Sequence, residues 1–302
     1  MTSRPSVLPA TGAGAVPLLV RLRALRPSLS PAEDRVAEQV LADPRATAAL
    51  TISELAVAAA TSETTVMRFC KRLDLPGYPQ LRLALAEESA QPRSLSAART
   101  DISASDTVDD VIRKIAFADS SAVEETAQQL DRATLTETAT LIGKAGRVDV
   151  YGSGASAVVG ADLQMKLHRI GCVAFSWSDP HIALTSAALL GSKDVAIGIS
   201  HSGTTRETIE AITTAKAHGA RTVAITNFPL SPLAKLADLV LTTAARETAL
   251  RSGATASRIG ALTVVDCLYI AVAQRNLRSA RKAVKSTREA VSAHHVDNDL
   301  HY

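Results

Sequence analysis

Apolar residues follow two different spacings along the chain and thereby predict two kinds of domain. Up to about residue 90 they recur every three or four positions, as Val36, Val40 and Leu41 do, which is typical of amphipathic helices. From about residue 147 onward, short apolar runs alternate with helical stretches. We therefore expect an all-helical N-terminal domain followed by an α/β domain, whose five-stranded parallel sheet is covered by helices.

The α/β part contains five strand-then-helix repeats. We predict strands at 147–151, 172–176, 194–200, 222–226 and 239–242, with a long helix at 257–276 after the last strand. Ligands in such sheets bind where strands end, at the carboxyl edge. The loops after the first and third strands are therefore the places to look for a site.

Helix starts in the N-terminal part carry clear capping signals. Ser30 with Glu33, and Thr51 with Glu54, have the spacing of capping boxes, and we expect Asp106 to cap a helix after the linker. The stretch 51–72 then holds a short helix, a tight turn near Ala59 and Ala60, and a second helix. These are the dimensions of a helix-turn-helix.

The second helix of this motif has an inward and an outward face. The inward positions are Val66, Phe69, Cys70 and Leu73. The candidate DNA-binding residues, which we expect on the outward face or at the helix start, are Ser62, Thr64, Thr65, Arg68, Lys71 and Arg72. Ser62, Thr64 and Thr65 are the candidates for base edges, and the cations for phosphates. The alternative is a small helical subdomain whose charged face only contacts water.

Composition limits the function classes. The 302 residues suggest about two domains, and 46% hydrophobic residues with nine aromatics imply a core of small aliphatic side chains. A net charge of +3 is too small to indicate nucleic-acid binding by itself, so DNA contacts must come from a local patch. The three cysteines show no paired spacing, which favours reduced thiols in a cytoplasmic protein and no metal site. The sequence has no uninterrupted apolar run of about 18 residues, so we predict no membrane span.

The stretch 195–210 contains the most distinctive chemistry of the chain. A strand is followed by the turn Ser200-His201-Ser202-Gly203-Thr204-Thr205 and then by a helix. Hydroxyls, a glycine and the free N–H groups of a helix start together form a phosphate-binding loop. The turn has no lysine and no Walker spacing, so a small phosphorylated molecule fits better than a nucleotide triphosphate. The alternative is an ordinary cluster of capping hydroxyls.

The earlier loop Gly152-Ser153-Gly154-Ala155-Ser156 follows the first strand. Together with Ala157 its glycines also match the dinucleotide fingerprint, and Asp179 would be the ribose-binding acid. We expect Asp179 to cap the next helix instead, and the second hydroxyl-rich loop has no role in a dehydrogenase.

Two sets of motifs resemble a known family. The two loops, in this order, resemble the sugar isomerase (SIS) domain, a flavodoxin-like fold that binds phosphosugars. The runs 50–56, 62–73, Gly77-Tyr78 and Leu81-Arg82 resemble the N-terminal domain of RpiR-type (MurR/RpiR) bacterial transcription regulators, which join a helix-turn-helix to a SIS domain. Asp74 departs from the pattern, since the family often has glycine there.

The resemblance implies a set of phosphosugar-binding residues. They are Ser153, Ser156, Ser200, His201, Ser202, Gly203, Thr204, Thr205, Glu207 and Arg258. Ser257 and Arg258 open the last long helix and border the pocket by resemblance only, and an exposed Arg at a helix start is the alternative. Glu207 could instead act as the base of a phosphosugar isomerase or lyase, with His181 or His201 as acid, but a helix-turn-helix has no use in such an enzyme.

The sequence and the resemblance together predict a cytoplasmic transcription regulator without enzymatic activity, cofactor, metal or membrane partner. Its partners are operator DNA of approximately palindromic sequence, a sugar phosphate effector and itself, as a homodimer or tetramer. By family analogy we favour amino-sugar phosphates. The expected domains are a disordered leader 1–17, the helix-turn-helix domain 18–90, a linker and connecting helix 91–130, the SIS domain 131–277 and a basic, polar tail 278–302, where DNA affinity is incidental.

Overall fold

The computed structural model describes residues 16–90, 102–247 and 256–292, and the chain divides into two compact units. The first unit comprises the described parts of Met1–Leu130 together with Asn227–Ser231 and Thr242–Gly260. The second comprises Asp131–Thr226, Pro232–Leu241 and the described parts of Ala261–Tyr302. The chain therefore passes from one unit to the other several times. The expected leader 1–17 and the linker start 91–101 fall almost wholly outside the described residues.

The first unit contains a helical domain and a long connecting helix. Its helices are α1 (Leu18–Leu25), α2 (Pro31–Ala42), α3 (Pro44–Ala49), α4 (Ile52–Ala58), α5 (Glu63–Arg72), α6 (Tyr78–Ala90) and α7 (Val108–Gln129). Their apolar faces meet in one core, in which Leu22, Val36, Leu55, Phe69 and Leu81 are fully buried. The helical period of the sequence therefore predicted this domain correctly.

Two predicted capping boxes are confirmed, and one predicted cap is wrong. Ser30 and Glu33 begin α2, and Thr51 and Glu54 begin α4, each by reciprocal hydrogen bonds. The cap of α7 is Thr107, which forms a capping box with Asp110, and not Asp106. Asp106 instead accepts a hydrogen bond from the Ser103 amide and pairs with Lys114. The short helix α3 was not predicted, because six residues are too few to show a period.

Helices α4 and α5 and the turn between them form the helix-turn-helix. Ala60 in the turn has a φ of 46°, and the Thr61 amide donates to the Ala56 carbonyl at 2.8 Å. Arg35 of α2 donates to the carbonyls of Ala59 and Ala60 at 3.0 and 2.8 Å. The turn is thus held from a neighbouring helix as well as by its own backbone.

The second unit is a five-stranded parallel sheet with helices around it, as the sequence predicted. Its strands are β1 (Val148–Tyr151), β2 (Ala174–Trp177), β3 (Val195–Ile199), β4 (Arg221–Thr226) and β5 (Leu239–Thr242) in the order β2-β1-β3-β4-β5. Every predicted strand is present, with bounds within two residues of those observed. Strands β1 and β3 are neighbours, with Tyr151 opposite Gly198 at their carboxyl ends.

The remaining helices lie before, between and after the strands along the chain. They are α8 (Arg132–Lys144), α9 (Ala155–Arg169), α10 (Pro180–Ala187), α11 (Arg206–Ala217), α12 (Pro232–Leu236), α13 (Ala256–Arg275) and α14 (Leu277–Ser292). Ser257–Arg275 is long and apolar enough to cross a membrane by composition, yet Val264, Val265 and Leu268 are buried inside the protein. This is the burial of a core helix.

The three cysteines are free thiols. Cys70 is completely buried in the helical core, and burial raises its pKa to about 11. Burial also raises the pKa of Cys172 and Cys267. All three therefore carry a proton at neutral pH, which makes them poor nucleophiles and poor metal ligands.

Candidate functional site

The loop after β3 is stabilised by its own hydroxyl groups. Ser200 is buried, and its Oγ accepts a hydrogen bond from the Gly203 amide at 3.0 Å and lies 2.8 Å from Thr205 Oγ1. Ser202 Oγ and Thr204 Oγ1 lie 2.7 Å apart, and both side chains are exposed. Ser200 and Thr205 therefore shape the loop, whereas Ser202 and Thr204 present hydroxyls to solvent.

Neighbouring elements hold this loop by its backbone carbonyls. Thr226 Oγ1, at the end of β4, donates to the His201 carbonyl at 3.1 Å. The Leu233 amide of α12 donates to the Gly203 carbonyl at 3.0 Å, and Gly203 has a φ of 65°. The His201 and Gly203 carbonyls are therefore both hydrogen-bonded to neighbouring elements. The left-handed backbone at Gly203 is one that glycine adopts readily and most other residues do not.

The loop after β1 brings backbone into close contact. A Cβ atom at Gly152 would lie 2.9 Å from the Ser156 carbonyl oxygen, so no side chain fits there. Gly154 has a φ of 59°, and the Ser156 amide donates to the Ser153 carbonyl at 3.2 Å. Ser153 and Ser156 are half-buried. Since β1 and β3 are neighbours, this loop and the Ser200–Thr205 loop leave the same edge of the sheet.

The helices that follow these two loops begin without a side-chain cap. In the part of the chain that the structure describes, no side chain caps the start of α9 or α11. The other long helices of the second unit that begin after a described loop are different, since Asp131 caps α8 and Asp179 caps α10. The first N–H groups of α11 and its positive helix end are therefore suited to an external anion. In α9 the Ser156 and Ala157 amides donate to the Ser153 and Gly154 carbonyls, so this helix offers mainly its positive end.

The remaining predicted ligand residues are placed as follows. Glu207 lies in the first turn of α11 and is exposed, and His201 is half-buried. Arg258 is half-buried in the first turn of α13, within the first unit. Asp179 is a helix cap, as expected, because its carboxylate accepts from the Ile182 amide at 3.0 Å. This role removes Asp179 from a dinucleotide site.

A buried polar cluster below the β1 loop was missed from the sequence. Asp149 is completely buried and forms a bidentate pair with Arg147 at 2.7 and 2.9 Å. It also accepts hydrogen bonds from Tyr151, Trp177 and Ser186 at 3.1, 2.8 and 2.6 Å. Burial and the neighbouring carboxylate raise the pKa of Tyr151. A lone aspartate in the apolar strand VDVY was the available signal. The cluster fixes the end of β1, where the Gly152 loop begins.

Most predicted DNA-binding residues lie on the exposed face of α5. Ser62, which caps the helix, and the residues Thr64, Arg68, Lys71 and Arg72 are exposed. Thr65, which we expected on the outward face, is instead buried, and its Oγ1 lies 3.1 Å from Ser62 Oγ. Arg72 Nε lies 4.0 Å from Glu33 Oε1. The surface available to a partner therefore combines hydroxyls at the helix start with cations further along.

Comparisons with known proteins agree in both halves of the chain. Residues 16–92 match the helix-turn-helix domain of the rpiR family, and residues 141–271 match the SIS domain. A helix-turn-helix transcriptional regulator of Caldanaerobacter subterraneus is 39% identical over 93% of this chain and 99% of its own. The regulator RpiR of Escherichia coli K12 is 31% identical over 93% of each chain.

Solved structures are similar to this chain as well. The NanR protein of Vibrio vulnificus, complexed with ManNAc-6P, is 31% identical, with a TM-score of 0.60 over 93% of this chain and 100% of that one. The sugar isomerase domain of an RpiR transcription factor from Sphaerobacter thermophilus is 27% identical, with a TM-score of 0.55 over 59% of this chain and 98% of that one.

Proposed function

Because the chain belongs to the RpiR family of helix-turn-helix transcriptional regulators with a SIS domain, we propose that it senses a sugar phosphate and regulates carbohydrate metabolism. The chain is a regulator and not an enzyme, in agreement with its curated relatives. It therefore acts on DNA in the cytoplasm. The sugar phosphate binds and dissociates without being converted.

The observation that carries this proposal is the pair of uncapped helix starts, α9 and α11, behind two loops on neighbouring strands. The phosphate accepts hydrogen bonds from the exposed hydroxyls of Ser202 and Thr204 and from amides of the α11 start. Ser153 and Ser156 provide hydroxyls from the other loop. Ser200, Thr205 and Gly203 set the shape of the site, and His201 and Glu207 contact the sugar.

An amino-sugar phosphate is the effector class that we propose. The V. vulnificus relative is complexed with ManNAc-6P and is similar over its entire length. A carboxylate such as Glu207 at the rim can accept hydrogen bonds from sugar hydroxyl or amide groups. NanR and this chain are 31% identical. We therefore propose the class of ligand for this chain and not the individual sugar.

DNA recognition belongs to α5. Ser62 and Thr64 reach base edges, and Arg68, Lys71 and Arg72 contact flanking phosphates. A homodimer or tetramer places two such helices in successive major grooves of an approximate palindrome. The effector shifts the balance between two arrangements of the protein that differ in their affinity for DNA.

Intrinsic fluorescence tests the effector site, since Trp177 is the only tryptophan of the chain and its indole donates to Asp149 near the β1 loop. We expect ManNAc-6P to change the emission, and ManNAc to have no effect. Ser202→Ala should weaken ManNAc-6P binding at least about tenfold, because a hydrogen bond to a charged group is worth about 1.5–3 kcal/mol. Ser192→Ala, at the opposite end of β3, is the control. A response to NAD alone would overturn the phosphosugar site.

The DNA-binding face has its own test. Arg68→Ala should weaken binding to a duplex selected on the wild-type protein and leave ManNAc-6P binding unchanged. Arg169→Ala, an exposed arginine of α9, is the charge-matched control. Equal loss of both activities in Arg68→Ala would assign the residue a structural role.

A further inference from the structure

Glu125 of α7 joins two arginines that are far apart in the sequence. Its Oε2 accepts a hydrogen bond from Arg23 of α1 at 3.1 Å, and its Oε1 accepts from Arg246 at 2.6 Å. The three side chains are largely buried, with exposed fractions of 21%, 17% and 29% for Arg23, Glu125 and Arg246. Burial lowers the pKa of Arg23 to about 10, against the opposing effect of Glu125, so Arg23 is charged at neutral pH.

The segment that carries Arg246 is attached to α7 at a second point. Thr126 is completely buried, and its Oγ1 accepts a hydrogen bond from the Ala244 amide at 3.0 Å. Ala244 also packs against Val16 and Val20 beside and within α1. The residues Thr243–Glu247 therefore lie against both the connecting helix and the first helix of the DNA-binding domain.

The same segment is bound to the loop that leaves β4. Asn227 Oδ1 accepts from the Ala245 amide at 2.7 Å and from Thr243 Oγ1 at 3.2 Å. Asn227 directly follows Thr226, whose hydroxyl holds the His201 carbonyl in the candidate effector loop. A continuous set of bonds thus leads from His201 through β4 and the segment after β5 to Glu125, and from there to α1.

From these contacts we propose that the Arg23–Glu125–Arg246 triad is a positioning element that transmits effector binding from the carboxyl edge of the sheet to the helix-turn-helix. The proposal rests on the proposed function. Glu125 pairs with two cations, so a displacement of the segment after β5 that breaks the Arg246 pair leaves a largely buried arginine without its counter-charge. Such an arrangement has two discrete states, bound and separated, as coupling between sites requires.

The experiment compares the wild type with Glu125→Gln, Arg246→Ala and the control Glu210→Gln, which removes an exposed carboxylate of α11. Operator affinity is measured with and without saturating ManNAc-6P, and ManNAc-6P affinity is measured by Trp177 fluorescence. Coupled sites typically show affinity ratios of about 5- to 150-fold. We expect the wild type and Glu210→Gln to share such a ratio, and both triad variants to bring it within about twofold of one while ManNAc-6P affinity is retained. A triad variant that keeps the wild-type ratio overturns the proposal.

Hydrogen exchange provides a readout that needs no sugar. Because coupling is reciprocal, binding of the selected DNA duplex should slow amide exchange at Thr243–Glu247 in the wild type and in Glu210→Gln, but not in Arg246→Ala. If no phosphosugar binds the wild type, the effector assignment fails and this second readout still decides the role of the triad. Slowed exchange in Arg246→Ala would show a purely structural contact. Arg246→Ala removes the more exposed partner, so it serves as the second variant where Glu125→Gln does not fold.

Discussion

Two residues of the helix-turn-helix domain have a left-handed backbone without being glycine. Ala60, in the turn, has a φ of 46°, and Asp74, just beyond α5, has a φ of 54°. Aspartate tolerates this region better than alanine does, because its short polar side chain can hydrogen-bond locally. Asp74 thus stands at the position where the resembling family often has glycine, in a conformation that glycine favours.

Ala60 is therefore a point of backbone strain that a substitution can relieve. An L-residue in this conformation costs about 1–2 kcal/mol, whereas glycine costs about 0.5–1 kcal/mol of chain entropy. We expect Ala60→Gly to raise the free energy of unfolding by about 0.5–1 kcal/mol, as measured by hydrogen exchange of core amides in α5. Ala58→Gly, in the helical part of α4, should lower it by about 1 kcal/mol. A loss of stability in Ala60→Gly would contradict the strain.

Individual side chains were predictable where one helical face decided them. Arg68, Lys71 and Val66 lie where the period of 3.6 residues places them. Thr65 does not, because its hydroxyl turns inward to Ser62 at the helix start and the buried stripe of α5 is wider than the apolar residues alone suggest. Asp149 was not predictable, since its four hydrogen-bonding partners come from β1, the residue before it, β2 and α10.

At the scale of elements, local signals predicted where helices start, but not always whether a hydroxyl near the start caps the helix. A capping box needs two residues three positions apart, so the sequence contains all of it, as in Thr51 and Glu54. The hydroxyls of Ser200 and Thr205 look like caps in the sequence. In the structure they bond to each other, and the start of α11 has no side-chain cap. This distinction depends on loop geometry that spacing does not reveal.

The capping box of α4 gives the helix-turn-helix a pH dependence. Hydrogen bonds from the Thr51 amide and then the Thr51 hydroxyl lower the pKa of Glu54. A lowered pKa contributes stability that is complete above the unfolded value of about 4.3 and is lost as pH falls through the lower folded value. We therefore expect the stability difference between wild type and Glu54→Gln to shrink below about pH 4, as measured by hydrogen exchange of α4 amides. Thr51→Ala deletes the hydroxyl but keeps the amide, so it should reduce this pH dependence without abolishing it, and an unchanged pH dependence there would contradict the contribution of the hydroxyl.

At the scale of the whole molecule, positive charge is concentrated at the end of the described chain. The helix α14 has five exposed cations and one carboxylate, Glu289, in a chain of net charge +3, so the rest of the chain has a slight negative excess. The opposite side of α14, with Ala280 buried, packs against α9 within the second unit. The basic tail predicted from the sequence at 278–302 is thus an ordered helix as far as Ser292.

Salt dependence of DNA binding measures what this charge contributes. If α14 contacts DNA phosphates, the triple substitution Arg281→Gln, Lys285→Gln and Arg288→Gln should reduce the slope of log K against log salt by up to about 0.9 per lost contact. The loss should be the same for the selected duplex and for an unrelated one, because phosphate contacts do not read sequence. Arg169→Gln is the control. An unchanged slope would show that the helix only contacts solvent.

The order of the strands and helices was predictable, but the division of the chain into units was not. Each strand is a local apolar run, so the sequence predicted all five. The assignment of Asn227–Ser231 and Thr242–Gly260 to the first unit depends on long-range bonds such as those of Thr126 and Glu125. No spacing within the sequence signals contacts between residues more than 100 positions apart.

This interleaving of the chain has a consequence for biosynthesis. The helical core around Phe69 can close once residue 90 has left the ribosome, since its members lie almost entirely between Leu18 and Leu85. Arg246, the second arginine partner of Glu125, is translated some 120 residues after it. At about 5–20 residues per second, Arg23 and Glu125 are therefore synthesised at least several seconds before Arg246. The nascent DNA-binding domain can therefore fold before the segment that we propose connects it to the effector site has been translated.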